Sequence, residues 1–267
     1  LNTGDILHTQ LVVAADSRFS ETRRAMGIPA SMHDFGKTML VLRMQHDVAH
    51  DQVAWEWFGV GQTLALLPLH DPHTSSVVLT LPPQEMQALL ALDDAALETA
   101  MASRFQQRLG AMRIAGPRCS YPLVGVYAKR FVAERFALIG DAAVGMHPVT
   151  AHGFNFGLLG QATLARELRA AVAAGQPIHS RELLRRYERK HRLATHPLYL
   201  ATQMLAGLYT DDRRPAQVVR KLALRVGARL RPFQMAVMAG LTADGGTGVR
   251  APRFQFARPG RVATGAE

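Results

Sequence analysis

Asp141 is the residue whose type and setting come closest to cofactor chemistry. It lies in the stretch Arg135–Leu159, RFALIGDAAVGMHPVTAHGFNFGLL, which runs from a short apolar segment through Gly140-Asp141 and Pro148 to Gly153-Phe154-Asn155. A carboxylate offers two acceptor oxygens suited to a sugar hydroxyl, and Gly140 lets the backbone turn or approach a ligand closely. A helix starting near Gly153 to Asn155 presents unpaired backbone N–H groups and a partial positive charge, which suit an electron-rich ligand. A second strand-end carboxylate, Asp16, lies in LVVAADSRFSETRR, Leu11 to Arg24. From spacing alone, an ordinary strand-loop-helix with Asp141 as a turn residue explains the first stretch equally well. For Asp16, a plain strand-end turn is nearly as good a reading.

The elements that must position these residues follow from periodicity. Phe136 to Ile139 is apolar, too short for a helix and flanked by charge and glycine, so it reads as a buried strand. Open α/β sheets bind ligands at such strand ends. Pro148 rigidifies the connection, Leu158, Ala162, Ala165, Leu168 and Val172 recur at helical spacing, and Gly175 with Pro177 closes that helix. Upstream, Ser20 caps a short helix ending at Gly27, and Pro29 marks the exit to a new region. Met39–Met44, Val53–Phe58, Thr63–Leu69 and Ser76–Leu81 read as strands of an antiparallel sheet. After Pro82-Pro83, helices are expected over Gln84–Ala91 and Asp94–Leu109, the second stopped by Gly110, and Arg113–Tyr121 leads back toward the cofactor unit. Alternation places Trp55 and Trp57 on one face of their strand and Glu56 on the other. The two indoles read as core or interface packing ahead of an aromatic-substrate lining.

The Gly140–Asn155 segment resembles the second flavin-binding motif of the flavoprotein aromatic hydroxylases, a Gly-Asp pair followed by a Pro and a Gly-x-Asn helix start. Leu11–Arg24 resembles the same family's other internal motif, in which a strand ends in Asp-Gly and leads through Ser-x-x-Arg into a helix. Ala54-Trp55-Glu56-Trp57-Phe58, Leu64–Leu69 and Tyr121-Pro122-Leu123 look like substrate-domain segments of the ubiquinone-biosynthesis branch, so the resemblance covers about Leu11 to Gly207. It implies that NADH or NADPH reduces FAD, and that the reduced flavin with oxygen hydroxylates an electron-rich ring; no protein nucleophile, catalytic side chain or metal is implied. On the matched positions, Asp141 bonds the ribityl chain, Gly140 allows the turn, and Pro148 shapes the loop beside the isoalloxazine. Gly153, Phe154 and Asn155 serve its pyrimidine edge, and Asp16 lies near the pyrophosphate, with Arg18 and Arg23 read as solvated charges. Two departures stand out: Ser17 where the family prefers Gly, and Ala151-His152-Gly153 where Gly-Gln-Gly is usual. His152 and His147 are read as local packing or hydrogen-bonding variants.

No G-x-G-x-x-G turn precedes Leu11, and Leu1 is not an initiator Met. The expectation is therefore the carboxyl-terminal part of a longer protein, in which the full-length enzyme holds FAD and these residues alone hold little or none and are inactive. The expected class is α/β (α+β), part of a FAD/NAD(P)-binding hydroxylase fold with an inserted, mostly antiparallel substrate sheet and a helical carboxyl-terminal region. Residues 1–30 and 119–178 form a discontinuous FAD-binding domain, 31–118 the substrate sheet, 179–243 the helical region and 244–267 a disordered tail.

Composition is compatible with this picture. A 267-residue chain with 48% hydrophobic residues can bury a sizeable core. A single cysteine, Cys119, excludes an internal disulfide and suits a reducing, cytoplasmic setting. No apolar run is long enough to span a bilayer. His46 and His50 lack a third suitably spaced ligand, so no metal site is expected. The net charge is +10, and Arg213 to Arg231 carries seven Lys or Arg, no acid and interleaved apolar residues. That segment reads either as a helix packing its apolar side on the protein or as one lying on an anionic membrane surface, peripheral on an inner membrane. Nucleic acid is not expected, since no reading motif is present. Two functions follow: a flavin-dependent monooxygenase acting on a polyprenylated aromatic or quinone-precursor ring, with partners in a ubiquinone-biosynthesis assembly, or a non-catalytic lipid-binding or assembly component derived from one.

Overall fold

The computed structural model describes residues 3–59, 61–148 and 153–210. Ala151, His152, the basic segment 213–231 and the tail 244–267 lie outside them. The elements in chain order are β1 (Val12–Ala14), α1 (Glu21–Ala25), β2 (Ala30–His46), β3 (Trp55–Phe58), β4 (Thr63–Pro68), β5 (Thr74–Leu81), α2 (Pro83–Leu90) and α3 (Asp94–Arg104). There follow β6 (Met112–Ile114), β7 (Cys119–Ala128), β8 (Val132–Ala133), β9 (Phe136–Leu138), a 3-10 turn (Gly140–Ala142), β10 (Val144–Gly145), α4 (Gly153–Ala173) and α5 (Arg181–Thr210). The class is mixed α/β, with a large antiparallel sheet.

In a small sheet of order β1-β9-β8, β1 runs parallel to β9, pairing Val12 with Phe136 and Ala14 with Leu138. The two strands that end in the candidate motifs are thus neighbours, although more than a hundred residues separate them. Helices α4 and α5 share a core with this sheet that includes Phe136, Leu138, Leu164, Leu183 and Tyr187. The Tyr187 hydroxyl donates to the Leu138 carbonyl at 2.5 Å, fixing α5 to β9.

The second sheet has the order β10-β7-β2-β5-β4-β3, with β6 also on β2. Its period-2 alternation separates two faces. Leu40, Leu42, Met44, Leu64, Leu66, Val77 and Leu79 pack against Met86, Leu97, Met101 and Phe105 of the α2–α3 region. Each fully buried aliphatic side chain contributes about 1.5–3 kcal/mol. The opposite face carries Met39, Val41, Ala65, Val78 and Thr80, which border the cavity described below. Trp55 and Trp57 stack at 5.6 Å between centroids and pack on the α2–α3 side, with the Arg108 guanidinium 4.7 Å from the Trp55 ring.

Four elements differ from the sequence reading. β2 starts at Ala30, not Met39, because a bulge between Asp34 and Thr38 carries its pairing with β7 past Gly36. β7 is a ten-residue strand despite Pro122, which stands opposite Thr38 at the end of that irregularity. α3 stops at Arg104, before Leu109, since Gln106 and Gln107 take left-handed conformations (φ 54° and 50°). In α4 the buried residues are Phe156, Gly160, Thr163, Leu164, Glu167 and Ala171, while Leu158 and Val172 are exposed. Glu167 sets that face: Lys190 and Arg186 of α5 donate to its carboxylate at 2.6 and 3.0 Å. Burial alone would raise its pKa, but those hydrogen bonds hold the carboxyl below its usual range.

Candidate functional site

The turn after β9 is built around Gly140, whose φ of 60° is in the region glycine favours. That conformation swings the chain into the 3-10 turn, and Asp141 emerges beside the loop that follows β1. Arg18 meets it there. One guanidinium nitrogen donates to Asp141 Oδ2 at 2.8 Å and the other to the Val124 carbonyl at 3.1 Å. Gly145 leaves room for this crossing, since a Cβ there would lie 3.1 Å from the Arg18 Cβ.

Arg23 joins the same two loops from beneath. It is 3% exposed, and its Nη1 donates to the carbonyls of Arg18 at 3.1 Å and Ala142 at 3.0 Å. The solvated reading of the two arginines is therefore corrected. Both turn inward because their acceptors come from the β9–β10 region and β7, partners that no local pattern announces. The detectable signal was the Ser20-x-x-Arg23 spacing: the Ser20 hydroxyl accepts from the Arg23 N–H at 2.9 Å, capping α1 and fixing where its first turn points.

Asp16 is exposed and satisfied locally. Its Oδ1 accepts from the Ser20 hydroxyl at 2.5 Å, and its Oδ2 accepts from the backbone N–H and hydroxyl of Thr22 at 3.0 and 2.8 Å. Desolvation opposes the effect, yet those bonds bring its pKa down to about 2. Ser17 sits between Asp16 and Arg18 with φ 75°, a conformation that costs a non-glycine residue free energy.

A cavity of about 390 Å³ opens between the exposed face of the large sheet and this pair of loops. Asp141, Pro148, Gly153 and Phe154, four of the seven expected cofactor residues, line it together with Arg18 and His147. Gly140, Asn155 and Asp16 do not line it. An atom in place of the missing side chain of Gly153, which lines the cavity, meets no atom of the described residues within 4 Å, so its backbone can be approached closely from that side. The first-turn N–H groups of α4 belong to Gly153, Phe154 and Asn155. These features fit a flavin.

The sheet wall contributes a residue that sequence reasoning placed on the correct face but gave no role. Glu56 lines the cavity opposite the two stacked indoles, keeps solvent access and has no hydrogen bond or ion pair among the described residues. Desolvation by the surrounding wall raises its pKa. His147 is 9% exposed and stands edge-on to Phe35 with ring centroids 4.5 Å apart. Burial, aided by the positive charge of Arg18, pushes its pKa down to about 4, so the imidazole is neutral at neutral pH. His46 and His50 serve local structure: His46 bridges the Val48 carbonyl (2.7 Å) and the Ser75 hydroxyl (2.9 Å), and His50 contacts the Asp71 carbonyl (3.0 Å).

Comparison with known proteins agrees with this geometry. Residues 2–198 match the family model described as FAD binding domain. The chain is 44% identical over 242 residues to the ubiquinone hydroxylase UbiM of Neisseria meningitidis, covering 91% of this chain and 52% of the relative. It is 35% identical over 238 residues to the ubiquinone hydroxylase UbiL of Rhodospirillum rubrum, covering 89% and 55%. The chain thus spans about half the length of these curated relatives. Among solved structures, PqsL of Pseudomonas aeruginosa superposes with a TM-score of 0.67 at 21% identity, over 82% of this chain and 61% of that one, which shows a shared fold. With three quarters of its residues matched by one family model, this chain belongs to the FAD-binding-domain family.

Proposed function

We propose that this chain is the substrate-facing and flavin-edge part of a FAD-dependent monooxygenase that hydroxylates an aromatic ring of a polyprenyl quinone precursor, with NADH or NADPH as reductant. The observation carrying this reading is the convergence of Asp141, Pro148, Gly153 and Phe154 on a single cavity whose far wall is the apolar face of an antiparallel sheet. The two relatives named as ubiquinone hydroxylases support the substrate class. FAD, when bound, supplies the redox and oxygen chemistry.

The chain's own residues bind, orient and shield. Asp141 accepts a hydrogen bond from a ligand hydroxyl through the oxygen that Arg18 leaves free. The α4 N–H groups face the electron-rich edge of the ring system and favour its anionic form. Met39, Val41, Ala65, Leu67 and Val78 exclude water from an aromatic ring lying against the sheet, and Glu56 accepts from a ring hydroxyl. Residues 1–30 and 119–178 belong to the FAD-binding part in this reading, 31–118 to the substrate part and, of 179–243, the described residues 179–210 to a helical region, and Asp16, Gly140 and Asn155 complete the flavin contacts.

The test is a flavin titration of the full-length protein, followed by NAD(P)H oxidation and mass analysis of a polyprenylphenol. Asp141→Ala is expected to weaken FAD binding roughly tenfold or more, the loss of one or two polar contacts, and the native protein is expected to add one oxygen atom to the ring. A full-length protein that binds no FAD, or that oxidises NAD(P)H without ever altering the phenol, overturns the reading.

A further inference from the structure

Away from the cavity, several cations without an ion-pair partner among the described residues cluster along α5. Arg181, Arg185 and Arg189 follow one another at four-residue spacing and are exposed, so they share one side of the helix. Lys129 and Arg130, in the turn between β7 and β8, stand across a groove of about 710 Å³ that Arg185, Arg189 and Arg192 line from the helix. Arg192 is fixed in place: its Nη1 donates to the Lys129 carbonyl at 2.9 Å, and its guanidinium lies 5.2 Å from the centroids of both Tyr127 and Phe131. The groove has one acid, Glu188, whose carboxylate already accepts from the Phe131 N–H at 2.7 Å and faces Arg192 at 3.9 Å. Among the described residues no ion pair or hydrogen bond engages the side chains of Lys129, Arg130, Arg185 or Arg189. Four unneutralised cations around one concavity repel each other unless an external anion is present.

The same side of the helix continues into apolar residues. Leu193 is 72% exposed, Leu200 47% and Met204 76%, and across Pro197 their spacings of seven and four residues keep them on the side of the helix centred near Arg189. A small soluble anion accounts for the arginines and leaves these three side chains unexplained. A nucleic acid calls for stacking aromatics, and the stripe has none exposed. A bilayer bearing anionic lipids accounts for both halves, since phosphates meet the guanidinium groups while leucine and methionine enter the acyl boundary.

We infer that this side of α5, with Lys129 and Arg130, docks the protein on an anionic membrane surface. The inference rests on charge and apolar exposure alone and stands apart from the oxygenase reading, so loss of one leaves the other intact.

Flotation of the full chain with vesicles of phosphatidylcholine alone, or of phosphatidylcholine mixed with phosphatidylglycerol, tests it. Binding is expected to the mixed vesicles only and to fall as salt is raised. The double variant Arg185→Gln/Arg189→Gln is expected to bind them roughly 30-fold more weakly, with its circular dichroism unchanged, while Arg113→Gln, on the large sheet, binds as the native chain does. Leu193→Ser/Met204→Ser is expected to weaken binding on the same vesicles as well. The inference is overturned if the arginine double variant binds like the native chain, whatever the segment 213–231 then contributes. It is also overturned by equal binding to neutral vesicles, by serine variants that bind undiminished, or by complete displacement with a duplex DNA of matched charge.

Discussion

Replacing Arg23 tests whether the two cofactor-side loops are held together by a buried guanidinium. Arg23→Met keeps the length and apolar body of the side chain but removes both donors to the carbonyls of Arg18 and Ala142. Leaving one buried and one part-buried carbonyl without this donor costs about 1–3 kcal/mol each. Against this, the native guanidinium is itself desolvated, its Nε has no hydrogen-bond partner among the described residues, and burial lowers its pKa, so its removal returns about 1–3 kcal/mol. The balance centres on a loss of about 2 kcal/mol. With a urea m-value of about 2–3 kcal/mol per molar, the unfolding midpoint falls by roughly 1 M. Circular dichroism reports the helices, and fluorescence of Trp55 and Trp57 reports the large sheet, so the two signals also reveal whether both sheets are lost together. The neighbouring residue supplies the control. Arg24 is exposed and its contact with Glu21, at 3.7 Å, is between exposed side chains, so Arg24→Met is expected to stay within about 0.5 kcal/mol of the native protein. If Arg23→Met shifts the midpoint no further than Arg24→Met, the bridging role is refuted.

Three further outcomes are expected. Ser17→Gly relieves the left-handed backbone at φ 75° but adds chain entropy to the unfolded state, for a net gain of about 0.5–1 kcal/mol and a melting temperature higher by about 2 °C; an unchanged or lower melting temperature contradicts it. His147 and His191 are both buried, and burial, with the charge of Arg18 in the first case, lowers each pKa to about 4 from about 6.5 when unfolded. The unfolded chain then takes up protons first, so stability is full above pH 6.5 and falls toward pH 4, by about 2 kcal/mol per imidazole at pH 5. Denaturant unfolding at pH 8 and pH 5 measures this, and His191→Leu should halve the pH-dependent loss attributed to the pair. On the proposed hydroxylase reading, Glu56→Gln in the full-length protein is expected to raise KM for a phenolic ring about tenfold through loss of a charged acceptor, with FAD affinity unchanged; an equal effect on a ring without a hydroxyl contradicts the role.

The large sheet was legible because its strands alternate: Trp55, Glu56 and Trp57 already divide between the helix-covered face and the cavity face. What alternation could not carry was pairing across interruptions. Gly36 and Pro122 look like strand breakers, and each is accommodated only because β2 and β7 meet over a bulge whose partners are more than eighty residues apart. Periodicity likewise found α4 but not its buried side, since a stripe containing Glu167 faces the core only once Arg186 and Lys190 of α5 are in place. The two arginines show the same limit. Nothing within ten residues of Arg18 or Arg23 reveals an acceptor at Asp141 or Ala142, so a surface position is the reasonable local expectation and the wrong one.

The electrostatics of the cavity then follow from which charges are already engaged. Arg18 and Asp141 neutralise each other at 2.8 Å, and His147 is uncharged at neutral pH. Among the described residues, Glu56 is the remaining unpaired formal charge on the lining. Partial desolvation has already raised its pKa, so a second anion placed beside it is disfavoured, whereas a donor hydroxyl is favoured. On the proposed hydroxylase reading, a ring carrying a hydroxyl and an apolar tail is expected to satisfy both the carboxylate and the Met39, Val41 and Val78 wall, while a benzoate meets repulsion that no cation among the described residues of this wall offsets. Competition between a phenol and its carboxylated analogue for the full-length enzyme separates the two, with the phenol binding more tightly in the native protein and the difference narrowing in Glu56→Gln.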